Sequence, residues 1–236
     1  GTLTCKFLDG PSTQTVSIQV DDGDATNNLS NTASTDVDVA NVAPTVAFSN
    51  PATTANEGDT VVFNFDITDP GQDTFTVAAS SCGAQATVQG SSITGNTGTL
   101  TCKFLDGPST QTVTIQVNDG DPTNNLSNTA STNVEVANVA PTVALSGPTT
   151  VDEGSTHTYT FTVTDPGQDT FSVAAGFPTC NGSGSLVAGS LTTNGTGGSF
   201  QCTFPDGPAI SNVQIQVTDS DGAASNTDSL TVTINN

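Results

Sequence analysis

The sequence predicts an all-β protein, a tandem series of two-sheet β-sandwiches of about seven strands each. Three observations carry that reading. Apolar and polar residues alternate over runs of roughly four to eight positions, the period of a strand with one buried face. Turn clusters rich in Gly, Pro, Asp and Asn separate those runs at sandwich spacing. The pattern also repeats: GTLTCKFLDGPSTQTVSIQVDDGDATNNLSNTASTDVDVA at residues 1–40 returns almost letter for letter at 98–137.

The period, about 100 residues, exceeds the roughly 20–50 of a solenoid and suits a string of small domains, each with its own core. NVAPTVA recurs at Asn41 and Asn138, and DPGQDTF at Asp69 and Asp165. A looser third copy starts at Gly195, with CTFPDGP, QIQV and TDSDG in the matching places. The expected organisation is the C-terminal half of one domain at 1–40, a full domain at 41–137 and another at 138–236. Short connecting segments such as Val136–Ala140 are expected to be semi-rigid, so the series should form an elongated rod. The chain contains no Met and opens at Gly1 in mid-unit, which reads as a window onto a longer protein.

In the middle domain, strands are expected near 44–48, 60–68, 74–80, 84–93, 98–104, 110–118 and 130–137. Pro44 and Pro141 open their domains, the place of Pro at a first or edge strand. Val61, Phe63, Phe65 and Ile67 should face a core, with Val62, Asn64, Asp66 and Thr68 facing water. The last domain matches with Tyr159, Phe161 and Val163 set between Thr158, Thr160 and Thr162. Later strands repeat the alternation at Val113, Ile115 and Val117, at Val213, Ile215 and Val217, and at Leu230, Val232 and Ile234.

The cysteines follow the same register. Each full domain holds one pair, Cys82 with Cys102 and Cys180 with Cys202, which implies one disulfide per domain and an oxidising compartment. Cys5 matches Cys102, so its partner is expected in a preceding half-domain. Two Cys per domain with no His nearby cannot fill a four-ligand zinc site.

Charge excludes several function classes. Charged residues make up 11% of the chain, against about 25% on average. Net charge is −21, and Lys6 and Lys103 are the basic residues. That rules out a basic nucleic-acid footprint and a polybasic patch for anionic membranes. No apolar run in this segment approaches the ~20 residues of a membrane helix. Catalysis also lacks parts. The single histidine, His157, lies on the inward parity of a strand and reads as packing or rim filling, and phosphate-binding loops are absent. Lys103 has outward parity, which disfavours a self-made isopeptide crosslink. The chain is expected not to be an enzyme.

The acidic turns are the candidates for chemistry. An acid stands near the front of each full domain, Glu57 in NEGD and Glu153 (beside Asp152) in VDEG. Asp-Pro-Gly-Gln-Asp follows the first long strand, giving Asp69 and Asp73, then Asp165 and Asp169. A further cluster follows the late strand, Asp119 and Asp121, then Asp219 and Asp221. The half-domain carries Asp21, Asp22 and Asp24. Calcium takes six to eight oxygens at about 2.3–2.6 Å, and closely spaced Asp on turns can supply them. The same residues also make ordinary hairpin turns, so both readings stand. Four asparagines, Asn28, Asn125, Asn181 and Asn194, sit in N-x-S/T frames that chance alone supplies in so Asn- and Thr-rich a chain.

The APTV openings, the EG before the first long strand, the TDPG turn and the late VTDSDG resemble the tandem immunoglobulin-like repeats of large bacterial cell-surface proteins, including the polycystic-kidney-disease (PKD) type and cadherin-like domains. The resemblance spans both full domains and the half-domain. It implies immunoglobulin-like sandwiches in a stalk, adhesin spacer or surface filament, extracellular or on the cell surface. It further implies calcium at domain ends, engaging Glu57 or Glu153 together with the Asp turns. Expected partners are neighbouring repeats of the same long chain or further copies of it, with a cell-surface or glycan ligand as a second class. The alternative function is a carbohydrate-binding or accessory module of a secreted hydrolase; the chain has no Trp and a single Tyr, Tyr159, which points inward by parity.

Overall fold

The computed structural model describes residues 1–236, and every regular element in it is a β-strand. Strands β1 (Ser12–Ile18) and β2 (Ala33–Val39) pair antiparallel as a two-stranded sheet. The stretch 41–137 holds β3 (Thr45–Phe48), β4 (Thr54–Asn56), β5 (Thr60–Thr68), β6 (Thr76–Ser81), β7 (Ala86–Thr94), β8 (Thr97–Phe104), β9 (Ser109–Asn118) and β10 (Ala130–Ala137). The stretch 138–236 holds β11 (Thr142–Ser146), β12 (Thr150–Asp152), β13 (Ser155–Thr164), β14 (Phe171–Val173), β15 (Thr179–Gly182), β16 (Ser185–Leu186), β17 (Thr192–Asn194), β18 (Gly197–Phe204), β19 (Ala209–Ile215), β20 (Val217–Asp219) and β21 (Asp228–Asn235).

The sheets run β3-β5-β8-β7 and β4-β10-β9-β6 in the first of these stretches. In the second they run β11-β13-β18-β16, with β17 also on β18, and β12-β21-β19-β15, with a β14-β20 pair besides. Each stretch is an immunoglobulin-like sandwich: its first strand is split, one part in each sheet. The second parts, β4 and β12, pair parallel with the last strands β10 and β21. These three-residue strands, together with the broken strands of the second stretch, raise the count to eight and eleven against about seven expected.

Alternation builds the cores as expected. Phe63, Phe65 and Ile67 of β5 are buried with Leu100, Cys102 and Phe104 of β8 and with Val113, Ile115 and Val117 of β9. The second core gathers Tyr159, Phe161, Phe200, Phe204, Val213, Ile215, Val232 and Ile234. Tyr159 is fully buried and still satisfied, because its hydroxyl donates to Pro148 O at 2.9 Å. Burial pushes its phenol up to about 12. Half-buried His157 packs near Phe204 at 6.2 Å and bonds Ser155 Oγ, and Lys103 lies exposed.

By contacts the chain divides into two compact units. One comprises Gly1–Thr53, Thr60–Lys103 and Gln111–Val134; the other comprises Thr54–Asp59, Phe104–Thr110 and Glu135–Asn236. The second unit therefore includes the Glu57 turn and the Asp106-Gly107-Pro108 turn. No helix of the chain is long and apolar enough to cross a membrane.

Both disulfides are formed, Cys82–Cys102 and Cys180–Cys202, and Cys5 is free and exposed. The Cys180–Cys202 bond joins β15 of one sheet to β18 of the other, a cross-sheet staple inside the second unit. It spans 22 residues, so its removal from the unfolded-state constraint is worth about 3 kcal/mol. Replacing both cysteines with Ala should lower the unfolding free energy of that unit by about 3 kcal/mol in urea titration. A loss under about 1 kcal/mol would show that the staple adds nothing the core does not already supply.

Candidate metal centres

The first centre lies in the first compact unit. Its acids come from three turns: Asp9 before β1, Asp69 and Asp73 between β5 and β6, and Asp119 and Asp121 after β9. Carboxylate oxygens of Asp9, Asp73 and Asp121 all lie within 4.8 Å of one another. Short-range bonds fix the loops. Asp69 Oδ1 accepts Gly71 N at 2.8 Å, and Asp119 Oδ1 accepts Asp121 N at 3.0 Å. Asp119, 3% exposed, uses its other oxygen to accept from Asn41 Nδ2 at 3.0 Å. That amide also ties down Thr123 O at 2.9 Å. One oxygen each of Asp69, Asp73 and Asp121 is buried with no hydrogen-bond partner.

Like charges without counter-charge raise proton affinity. Asp73 is pushed up to about 6, first by burial and then by Asp69, Asp9, Asp121 and Asp119. Asp121 is raised by burial and by Asp119, Asp9 and Asp69.

The second centre lies in the second unit and repeats the first in register, with Asp106, Asp165, Asp169, Asp219, Asp221 and Asn138 in the matching places. Glu57 joins it, from the tight turn after β4. Two groups of three carboxylates each fall within 4.8 Å, Glu57–Asp165–Asp169 and Asp106–Asp169–Asp221, and Asp169 belongs to both. Glu57 is 2% exposed, accepting Gly107 N at 2.9 Å on Oε2 and Val139 N at 2.8 Å on Oε1. Asp219 accepts Asp221 N at 3.0 Å and Ala223 N at 2.7 Å on Oδ1, and Asn138 Nδ2 at 3.1 Å on Oδ2. Asp165 Oδ1 accepts Gly167 N at 3.0 Å, and Asp169 Oδ1 accepts from Ser220 Oγ. Asp169 Oδ2 and Asn138 Oδ1 are buried without partners.

Burial raises the Glu57 carboxyl; the Val139 and Gly107 N–H groups pull against it, and Asp169 and Asp165 add to the rise. Asp165 and Asp221 are also raised, burial again being the first cause.

Nine of the ten acids expected from the sequence belong to one centre or the other. Glu57 keeps company with Asp165 and Asp169 of the following repeat, not with Asp69 and Asp73 of its own. Glu153 stands apart and accepts Gly207 N at 3.1 Å. Sequence reasoning missed Asp9, Asp106, Asn41 and Asn138. The signal was present, since DGP recurs at 9, 106 and 206 and NVAP at 41 and 138. Both centres offer oxygen donors and no sulfur or imidazole, the donor set of a hard cation such as Ca²⁺.

No family model and no curated protein matches the chain. Solved structures resemble it. The adhesin InvE of Yersinia pseudotuberculosis matches at 20% identity over 80% of this chain, TM-score 0.34. The chain spans 58% of that structure's length. The PKD domain of an M14-like peptidase from a Thermoplasmatales archaeon matches at 25% identity over 42% of this chain and 100% of that domain, TM-score 0.32. Drosophila N-cadherin EC1-3 matches at 8% identity over 80% of this chain and 67% of its own, TM-score 0.30.

A carboxylate whose folded pKa is raised costs stability above that pKa, because its charged form is disfavoured in the folded chain; the cost is relieved between the two pKa values, where the folded state takes up a proton that the unfolded state does not hold. For Asp73 the window runs from about 6 down to the ordinary 3.8. The metal-free chain should therefore gain stability as pH falls through that window, the reverse of the usual acid response. Melting temperature in EDTA should be higher at about pH 5 than at about pH 7.5. A lower melting temperature at about pH 5 would show that the carboxylates do not repel one another in the folded chain.

Proposed function

We propose that this chain is a structural segment of an extracellular or cell-surface repeat protein, a stalk, adhesin spacer or surface filament. In this reading 1–40, 41–137 and 138–236 are a half-domain and two domains in series, and Asp-rich turns hold calcium that stiffens them. The observation that carries it is the rebuilding of one oxygen cage twice in register. Asp9, Asp69, Asp73, Asp119, Asp121 and Asn41 are answered by Asp106, Asp165, Asp169, Asp219, Asp221 and Asn138. A fold needing only turns at these places has no use for buried, unpartnered carboxylate oxygens. Disulfides in both sandwiches support an oxidising, extracellular setting.

A bound cation would pull the turns of each centre together and cancel their repulsion. Glu57, Asp165 and Asp169 would hold one ion, Asp106, Asp169 and Asp221 another, and Asp9, Asp73 and Asp121 a third. The reading assigns no catalytic residue. Nothing favours the carbohydrate-binding alternative, which needs an exposed aromatic platform, whereas Tyr159 is buried.

Calorimetric titration with Ca²⁺ should give saturable binding and a rise in melting temperature. At free calcium a thousandfold above Kd the gain is about 4 kcal/mol. Asp169→Asn removes the acid shared by two groups and should weaken the second centre by tenfold or more, about 1.4 kcal/mol. Asp24→Asn, in an exposed turn, should change nothing. Absence of both heat and thermal shift with Ca²⁺ would remove calcium from the proposal.

A further inference from the structure

The turn at Glu57 and the turn at Gly107 together form a small surface that is covered. Glu57 N donates to Ala137 O at 3.0 Å, and Gly58 N donates to Phe104 O at 2.9 Å. Glu57 Oε2 accepts Gly107 N. Gly107 backs onto the end of β10, where a Cβ would come within 2.8 Å of the Ala137 carbonyl carbon. Over this frame lies the Asp165–Asp169 loop. A Cβ on Gly58 would stand 2.8 Å from Pro166 Cβ, and one on Gly167 2.5 Å from the Glu57 carboxyl carbon. Gln168 N donates to Leu105 O at 2.9 Å, and Asn138, just past β10, reaches Asp219 at 3.1 Å.

The same frame is built again at the end of β21. Glu153 N donates to Asn235 O at 3.0 Å, and Gly154 N to Phe204 O at 2.7 Å. Glu153 Oε2 accepts Gly207 N, and a Cβ on Gly207 would come within 2.7 Å of Asn235 O. Pro205 keeps the carbonyl that Leu105 uses. The difference is the cover: a Cβ on Gly154 meets nothing within 4 Å. Turn conformation accounts for the glycine itself, φ +75 at Gly154 and +78 at Gly58, but not for its surroundings. Asp206 stands where Asp106 does. Asn236 stands where Asn41 and Asn138 do, and those two donate to Asp119 and Asp219. Having no such aspartate before it, the Asn236 amide nitrogen, oriented to satisfy both groups, donates to the Glu153 carboxylate at 3.1 and 3.2 Å.

We infer that Glu153, Gly154, Pro205, Asp206, Gly207 and Asn236 form a docking surface whose occupant is a further copy of the 138–236 unit, in line. That copy would present an Asp-Pro-Gly-Gln-Asp loop over Gly154 and a buried turn aspartate to Asn236. The inference rests on the repeat-array reading. Neither loop of this chain is free to serve, since the Asp165–Asp169 loop covers Gly58, and Pro70 and Gly71 share a cleft with Phe7, Leu8, Asp9 and Gly10.

The test is hydrogen–deuterium exchange on the 236-residue chain and on the same chain extended by a second copy of residues 138–236. In the extended chain the Gly154 and Gly207 amides of the first copy should slow by about tenfold and approach Gly58 and Gly107 in the same sample. Unchanged exchange at Gly154 and Gly207, with Gly58 and Gly107 protected, overturns the docking surface and leaves the array reading standing. Fast exchange at all four overturns both. Protection that appears in the unextended chain as its concentration rises places a second chain there and overturns the in-line occupant.

Discussion

The chain cannot neutralise its own acids. With 23 Asp and Glu residues against Lys6 and Lys103, ion pairing is closed as a general means of holding carboxylates in a folded surface. Four means remain: backbone N–H groups, side-chain amides, side-chain hydroxyls, and a cation from outside. The structure uses the first three; hydroxyls serve Asp36, Asp38, Glu135 and Asp169. Asp21, Asp69, Asp165, Asp119 and Asp219 each cap the backbone two residues ahead. Asn41 and Asn138 each serve a buried aspartate. A carboxylate has two oxygens, though, and a tight turn uses one. The second oxygen of Asp69 is left buried and unpartnered, as are oxygens of Asp73, Asp121 and Asp169. Turn chemistry and cation binding are therefore compatible demands on a single residue.

This constraint shapes the sandwiches as well. Few charges are available for the outer strand faces, which carry Thr, Ser, Gln and Asn instead. Pairs such as Thr112 with Asn133 and Gln201 with Thr158 link neighbouring strands there. Each such bond is worth about 1 kcal/mol or less net. Stability must come from the inward faces, where Phe63, Phe65, Phe104, Phe200 and Phe204 fill the cores, and from the disulfides.

Strand β5 was legible to the residue, expected at 60–68 and found at Thr60–Thr68, because nine residues of strict alternation leave one choice of face. Strands β4 and β12 were not legible. Each has three residues, too few for a period, and exists because β10 or β21 offers an edge beside it. The acids divided in the same way. Repetition in register marked the Asp turns; Asp-Gly-Pro repeats as well, at 9, 106 and 206, but a single acid beside Gly-Pro is locally indistinguishable from turn chemistry. That Glu57 meets Asp165 across more than a hundred residues, and not nearby Asp69, is a fact of packing, and no local pattern encodes it.

The two centres are alike in plan, with matching acids on matching turns. Around Asp73 there is one group of three mutually close carboxylates; around Asp169 there are two, and Glu57 belongs to one of them. Glu57 is also the most buried member, and its two backbone bonds leave its charge only partly compensated. Added acids cost more when a centre is empty and would attract more strongly if a cation entered. The second compact unit holds Glu57, Gly107 and the Asp165–Asp169 loop together, so this repulsion is carried within one unit. In a chain with almost no positive charge, Glu57 is left to the Gly107 and Val139 N–H groups, which only partly offset its burial and its repulsion by Asp169 and Asp165.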